Sequence, residues 1–283
     1  LFYFTLLAVR IGVYVRRYIK IALISLIVFL VLDIGRYLVY PSVSDLIKTN
    51  PIPTAFMEYR KAQWADEGKQ KELTQKWVDF RSISPYLVKA VLISEDDGFW
   101  KNDGFEKDEM MQAFEKNLKA GKFVSGGSTV TQQLAKNIYL SPSKNPIRKL
   151  KEAILTYRMN KTLSKRRIIE IYLNCAEWGD GIFGIEAAAR HYYGKSARNL
   201  SAMEAAKLAA ILPNPIIYQP EQSGRVAKKS ALLYRIMTQR GIIIKAFEEV
   251  EKPEPKEDVN ASVTEANVST QSTQDKNETN ATN

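Results

Sequence analysis

The chain has 283 residues with 41 Lys or Arg against 31 Asp or Glu, a net charge of +10 and 45% hydrophobic residues, which is room for one medium domain with accessories and a real core. A single cysteine, Cys175, excludes a disulfide framework or a cysteine-held zinc cluster, and a single histidine, His191, makes a histidine-driven nucleophile a poor choice. Chemistry therefore rests on carboxylates, amides, hydroxyls and cations. Past residue 250 seven acids face three bases, so about +14 rests on residues 1–250 and suggests a polyanionic partner: nucleic acid, a phospholipid surface or a phosphorylated substrate.

Residues 1–40 are the most apolar part. The cleanest window, 21–32, has one polar residue, Ser25, but is shorter than the roughly 20 residues of a clean membrane span. Asp33 and Arg36 interrupt it one helical turn apart, where they can pair near the interface, and Lys20 can snorkel. Arg10, Arg16, Arg17 and Lys20 precede the window, which by the positive-inside rule keeps the N-terminus cytoplasmic and sends the rest outward. No A-x-A-like cleavage site follows, so the expectation is a retained single-pass anchor spanning about 19–39, in preference to a signal peptide or an interfacial helix.

Residues 41–83 read as a mostly helical connector punctuated by proline. From 84 to 246 the pattern is repeatedly helical. Pro85 opens a helix at the position where its missing N–H costs nothing, and Thr129 with Gln132 and Ser201 with Glu204 have capping-box spacing. The β-branched runs IIEIYLN and GIIIK leave room for a small strand, but the class is mainly α. The tail, 251–283, has no aromatics and is expected to be disordered; its four N-x-S/T sequons follow from its composition.

Three stretches stand out. In SEDDGFWKNDGF the acids Glu95, Asp96 and Asp97 follow a helical run, at the end where cations are usual, beside Phe99 and Trp100. Acids in such a place have their charged form disfavoured, the direction that suits a proton acceptor. In GGSTVTQQLAKN two glycines lead into a capped helix start able to present N–H groups to an anion, with Gln133, Lys136 and Asn137 on one face and Gln132 at i,i+4 spacing from Lys136. Residues 143–167 carry nine bases (Lys144, Arg148, Lys149, Lys151, Arg158, Lys161, Lys165, Arg166, Arg167) around one acid, Glu152: either a solvated helix with an ion pair or an anion pocket with a carboxylate inside it.

Taken in order, SEDDGF, GGSTVTQQLAKN, RKLKE, SKRRIIEIYLN and GIFGIEAAARHYYGKSARNLSAMEAAKLAAILPNP resemble the motif series of the bacterial peptidoglycan glycosyltransferases, family 51, over about residues 50–220. The resemblance implies a lysozyme-like glycosyltransferase domain behind a transmembrane helix in the cytoplasmic (inner) membrane, with the catalytic domain on its outer face. The length points to a member without a transpeptidase domain, and SPSK at 141–144 lacks a K-T-G partner. The implied substrate is lipid II, polymerised into β-1,4-linked strands with release of undecaprenyl pyrophosphate. Glu95 is then the general base and Glu152 the second carboxylate, placed near the donor pyrophosphate to organise the bases or a divalent ion. Lys136, Arg148 and Lys149 hold phosphate, Gln132, Gln133 and Asn137 hold sugar or phosphate oxygens, and Asp96 supports Glu95, while Asp97 is expected to be only solvated. No cofactor or protein-held metal is required, with magnesium or manganese at the pyrophosphate as the optional ion. The bilayer, the growing glycan and other cell-wall synthesis or division proteins are the implied partners, and nucleic acid is not. One position departs from the family's E-D-x-x-F-x-x-H-x-G pattern: Asn102 stands where histidine is usual, and asparagine carries no charge. A lytic lysozyme-like hydrolase needs no pyrophosphate pocket, and a non-catalytic scaffold would be expected to lose one of the two glutamates.

Overall fold

The computed structural model describes residues 2–106, 127–142 and 145–243, together with 111, 112, 115 and 119. Gly126, Ser143, Lys144 and the 251–283 tail lie outside the described residues. Among those described, the chain forms nine α-helices and three very short strands. They are α1 (Phe2–Gly35), α2 (Ala55–Asp66), β1 (Thr74–Gln75), α3 (Pro85–Glu95), α4 (Val130–Tyr139), α5 (Pro146–Thr162), α6 (Lys165–Cys175), β2 (Glu177–Gly179), β3 (Ile182–Phe183), α7 (Ile185–Tyr193), α8 (Ala202–Ile211) and α9 (Arg225–Gln239).

The helix starts follow local chemistry. Thr129 and Gln132 close a capping box on α4, and Ser201 and Glu204 do so on α8. Asn145 caps α5 through Ile147 N–H at 2.8 Å, with Pro146 in the first turn, and Ser164 caps α6. IIEIYLN, where a strand was one alternative, is the body of α6. The strands lie elsewhere: β3 is central, parallel to β1 and antiparallel to β2. Residues 41–83 are less helical than their punctuation suggests, with α2 as their one α-helix.

The core is built around α4, α6 and α8. Val130, Leu134 and Ala135 of α4 and Ile168, Ile169, Ile171 and Leu173 of α6 are fully buried, and α4 packs on α5 and α6. α8 buries a row of alanines (Ala202, Ala205, Ala206, Ala209), whose small side chains let α3 and α9 pack closely against it. This arrangement places the end of α3 beside the start of α4.

Arg16–Leu38 is long and apolar enough to cross a membrane, and no residue of its apolar window is buried inside the protein. Ile24, Ile27, Phe29 and Val31 are all more than half exposed, so a bilayer is the solvent this helix fits. Asp33 pairs with Arg36 at 3.2 Å as its spacing suggests, and also with Lys151 of α5 at 2.5 Å. Beyond the helix, Arg158 of α5 donates to the carbonyls of Tyr37, Val39 and Pro41 at 2.8–2.9 Å, and Arg167 to those of Leu46 and Thr49.

Part of the basic stretch is therefore a clamp joining the anchor segment to the domain. Lys151 and Arg158 are seven residues apart and share one face of α5, from which Lys149 and Glu152 are turned away. Arg158→Ala is expected to remove three charge-assisted bonds and to cost about 1.5–3 kcal/mol. Denaturant unfolding, with proteolysis of residues 37–50 as a second probe, checks this; an unchanged midpoint and cleavage rate would contradict it.

Candidate active site

Helix α3 ends at Glu95 because Asp96 leaves the helical conformation (φ −168°, ψ 75°). Its last residue thus reaches the groove between α3, α4 and α9. The Glu95 carboxylate is mostly buried and accepts from Ser94 Oγ at 2.9 Å and from Gln133 Nε2 at 3.1 Å. Lys229 Nζ of α9 stands 3.6 Å away. Lys229 also lines a cleft of about 490 Å³ with Gly224, Arg225, Lys228 and Leu232.

The amide of Gln133 is oriented from behind. Tyr172 of α6 donates its hydroxyl to Gln133 Oε1 at 3.0 Å, which turns Nε2 toward Glu95. Burial pushes the Tyr172 phenol well above its ordinary range, so it remains a donor at any working pH. Tyr172→Phe is expected to leave Gln133 Oε1 buried without its donor and to lower turnover about 2–10-fold, with little change in KM. Steady-state kinetics check it, and an unchanged kcat would remove Tyr172 from the positioning chain.

Glu152 has a different setting. It is 2% exposed, and its two oxygens are taken by Arg148 Nη1 at 2.5 Å and by Lys149 Nζ. Lys149 also reaches Ser128 Oγ at 3.2 Å, which ties the glycine-led turn before α4 to this pair. A carboxylate with a cation on each oxygen does not fit a divalent ion held by protein, and no three His, Cys, Asp or Glu side chains converge for one among the described residues. Lys136 of α4 is within electrostatic reach of both glutamates. Burial pulls its ammonium below the usual lysine range, and that ammonium has no hydrogen-bond or ion-pair partner among the described residues. An under-solvated cation without a partner is suited to an incoming anion.

Asp96 is buried, accepting from Val130 N–H at 2.9 Å and from Asn102 Nδ2 at 2.8 Å. Phe99 is fully buried, edge-to-face with the half-exposed Trp100. Two expectations change. Gln132 does not face a ligand: it is 1% exposed, and its Oε1 accepts Thr129 N–H at 3.0 Å, which holds the side chain at the buried helix start. Asp97 is not merely solvated: Arg240 grips it through two bonds of 2.6 and 2.8 Å, holding its carboxyl below the usual range. Asn137 lies on the face of Gln133 and Lys136 but is only 9% exposed. Sequence reasoning missed Tyr172, Lys229 and Lys165 as parts of the site. Tyr172 and Lys165 stand in a motif that carries the resemblance, whereas Lys229 lies beyond it.

The transglycosylase family model matches residues 61–238 and so includes Lys229. Biosynthetic peptidoglycan transglycosylases of Laribacter hongkongensis and Chromobacterium violaceum are each 48% identical to the chain over 189 residues, 66% of this chain and 83% of the relative. That of Nitrosospira multiformis is 44% identical over 194 residues, 68% of this chain and 84% of the relative. Two mostly buried glutamates with contrasting partners and a cluster of cations, on a chain matched over this span, place the protein in the transglycosylase family as a peptidoglycan glycosyltransferase.

Proposed function

We propose that the chain polymerises lipid II at the outer face of the cytoplasmic membrane, with Glu95 as the general base. The observation that carries this reading is the contrast between the two glutamates. Glu152 is neutralised by Arg148 and Lys149, whereas Glu95 is held mainly by the neutral donors of Ser94 and Gln133, with one lysine at the longer distance of 3.6 Å. A carboxylate with a cation on each oxygen is engaged in holding those cations; one positioned by an amide and a hydroxyl is left to face a substrate hydroxyl.

In the step this implies, Glu95 takes the proton of the acceptor sugar's 4-hydroxyl. The freed oxygen attacks the anomeric carbon of the donor from the face opposite the pyrophosphate. The carbon–oxygen bond to pyrophosphate breaks, its electron pair leaves with undecaprenyl pyrophosphate, and the new link is β-1,4. Charge grows on the leaving group as that bond breaks, and Lys136, Arg148 and Lys149 are the cations placed to stabilise it. Glu152 fixes the last two, and Gln133 and Asn137 are left as the amides for sugar or phosphate oxygens.

The alternative of a glycan-cleaving hydrolase has no use for three cations around a leaving phosphate. Incubation of the full-length protein in detergent with fluorescent lipid II, and separately with finished glycan, tests the choice. The proposal expects a ladder of growing strands from the first and intact glycan from the second. Cleaved glycan without polymerisation would overturn it.

A further inference from the structure

Asn102 is the hub of a four-way network outside the proton-transfer step. Its Nδ2 donates to Asp96 Oδ1 at 2.8 Å and to Glu106 Oε1 at 3.0 Å, while its Oδ1 accepts from Gly104 N–H at 3.0 Å and from Lys165 Nζ at 2.9 Å. The amide's orientation is fixed by what it meets, a cation and an N–H on the oxygen side and two carboxylates on the nitrogen side. Lys165, the first residue of α6, also lies over the ring of the buried Phe99, 4.7 Å from its centroid. Gly104 closes the turn: it has φ +96°, and a Cβ there would come within 3.1 Å of Thr156.

The other oxygen of Asp96 bonds Val130 N–H, in the first turn of α4. Asp96 thus clips the end of α3, where Glu95 stands, to the start of α4, where Gln133 and Lys136 stand. An ionised carboxylate suits that place, since it meets an open N–H at the positive end of a helix. Burial opposes the ionised form and pushes the Asp96 carboxyl up to about 6, with Val130 N–H pulling down, the Glu106 charge pushing up, and Lys165 and the Asn102 bond pulling down. Lys165 in turn feels Asp96, Asp103 and Glu106.

We propose that Lys165, acting through Asn102, is a positioning residue for glycosyl transfer: it holds the Asp96 carboxylate in the clip that sets Glu95 against Gln133. An asparagine serves at 102 because it accepts from the lysine and donates to the acid at the same time. This inference rests on the reading of Glu95 as the proton acceptor.

The test compares Lys165→Met and Lys165→Arg with wild type in two measurements on the full-length protein in detergent. The first is the pH dependence of lipid II polymerisation. Loss of the cation raises the pH at which Asp96 ionises, so the acid-side midpoint in Lys165→Met is expected to move up by about 0.5–1 pH unit and to return in Lys165→Arg. The second is the thermal midpoint across pH 5–8, which needs no activity. A carboxyl whose folded pKa is raised destabilises the fold as pH rises through that value. The stability deficit of Lys165→Met relative to wild type is therefore expected to be small at pH 5 and larger at pH 8. A deficit independent of pH, or an acid limb that does not move, overturns the proposal and leaves Lys165 a packing residue. If wild type makes no glycan at any pH, the polymerase reading fails, and the thermal series alone decides the role of Lys165.

Discussion

Glu95→Gln is expected to slow glycan polymerisation by about 10²–10⁴-fold, the usual contribution of a positioned general base. The variant keeps the size of the side chain and a carbonyl oxygen that can accept from Gln133 or Ser94, so the groove should hold its shape. What is lost is the acceptor for the 4-hydroxyl proton. Because that loss is felt only as the proton moves, kcat should fall while KM stays within about threefold of wild type. Quantified strand synthesis with radiolabelled or fluorescent lipid II checks both numbers. A variant that keeps more than about a tenth of wild-type turnover would place the base elsewhere.

Glu152→Ala should act on the other half of the site and on the fold together. It leaves Arg148 and Lys149 facing each other beside a nearly buried cavity, with side-chain exposures of 17% and 45%. Removing one partner of a buried pair costs about 3–5 kcal/mol, and the lower end applies here because Lys149 can turn to water. The repelled cations should then stand off the place where pyrophosphate charge develops. The expected kinetic result is a KM raised at least about tenfold along with a lower kcat, since both bound substrate and leaving group use them. Denaturant unfolding and steady-state kinetics measure the two effects. Unfolding like wild type with only kcat reduced would mean that Glu152 acts in the chemistry and not as the anchor of the cations.

Much of this arrangement was legible in the chain, and the failures have physical causes. The capping residues of α4 and α8 and the Asp33–Arg36 pair are local, three residues apart, and the structure forms each of them. Gln132 shows a conflict that sequence could have resolved: the capping box is the stronger local signal, and it turns the amide back to Thr129 N–H at the buried helix start, away from a ligand. The spacing that sets Arg148 and Lys149 beside Glu152 is local, but the second task of the basic stretch is not. Arg148 and Lys149 meet Glu152, while Lys151 and Arg158 turn to the anchor segment. Lys229 beside Glu95 and Arg240 on Asp97 had no local signal, because only the packing of α9 against α3 and α8 brings them there. Asn102 departs from the usual histidine, and the lysine that donates to its amide oxygen, Lys165, stands on another helix, where no local pattern points to it.

The central claim is a division of labour, with Glu95 handling the proton and Glu152 holding the cations that meet the pyrophosphate. Equilibrium binding of lipid II to Glu95→Gln and Glu152→Ala, measured in the same detergent as wild type, tests it most directly. The account predicts that Glu95→Gln binds within about threefold of wild type and that Glu152→Ala binds at least about tenfold more weakly, about 1.4 kcal/mol of lost affinity. Equal weakening in both variants, or wild-type binding by Glu152→Ala, would contradict it.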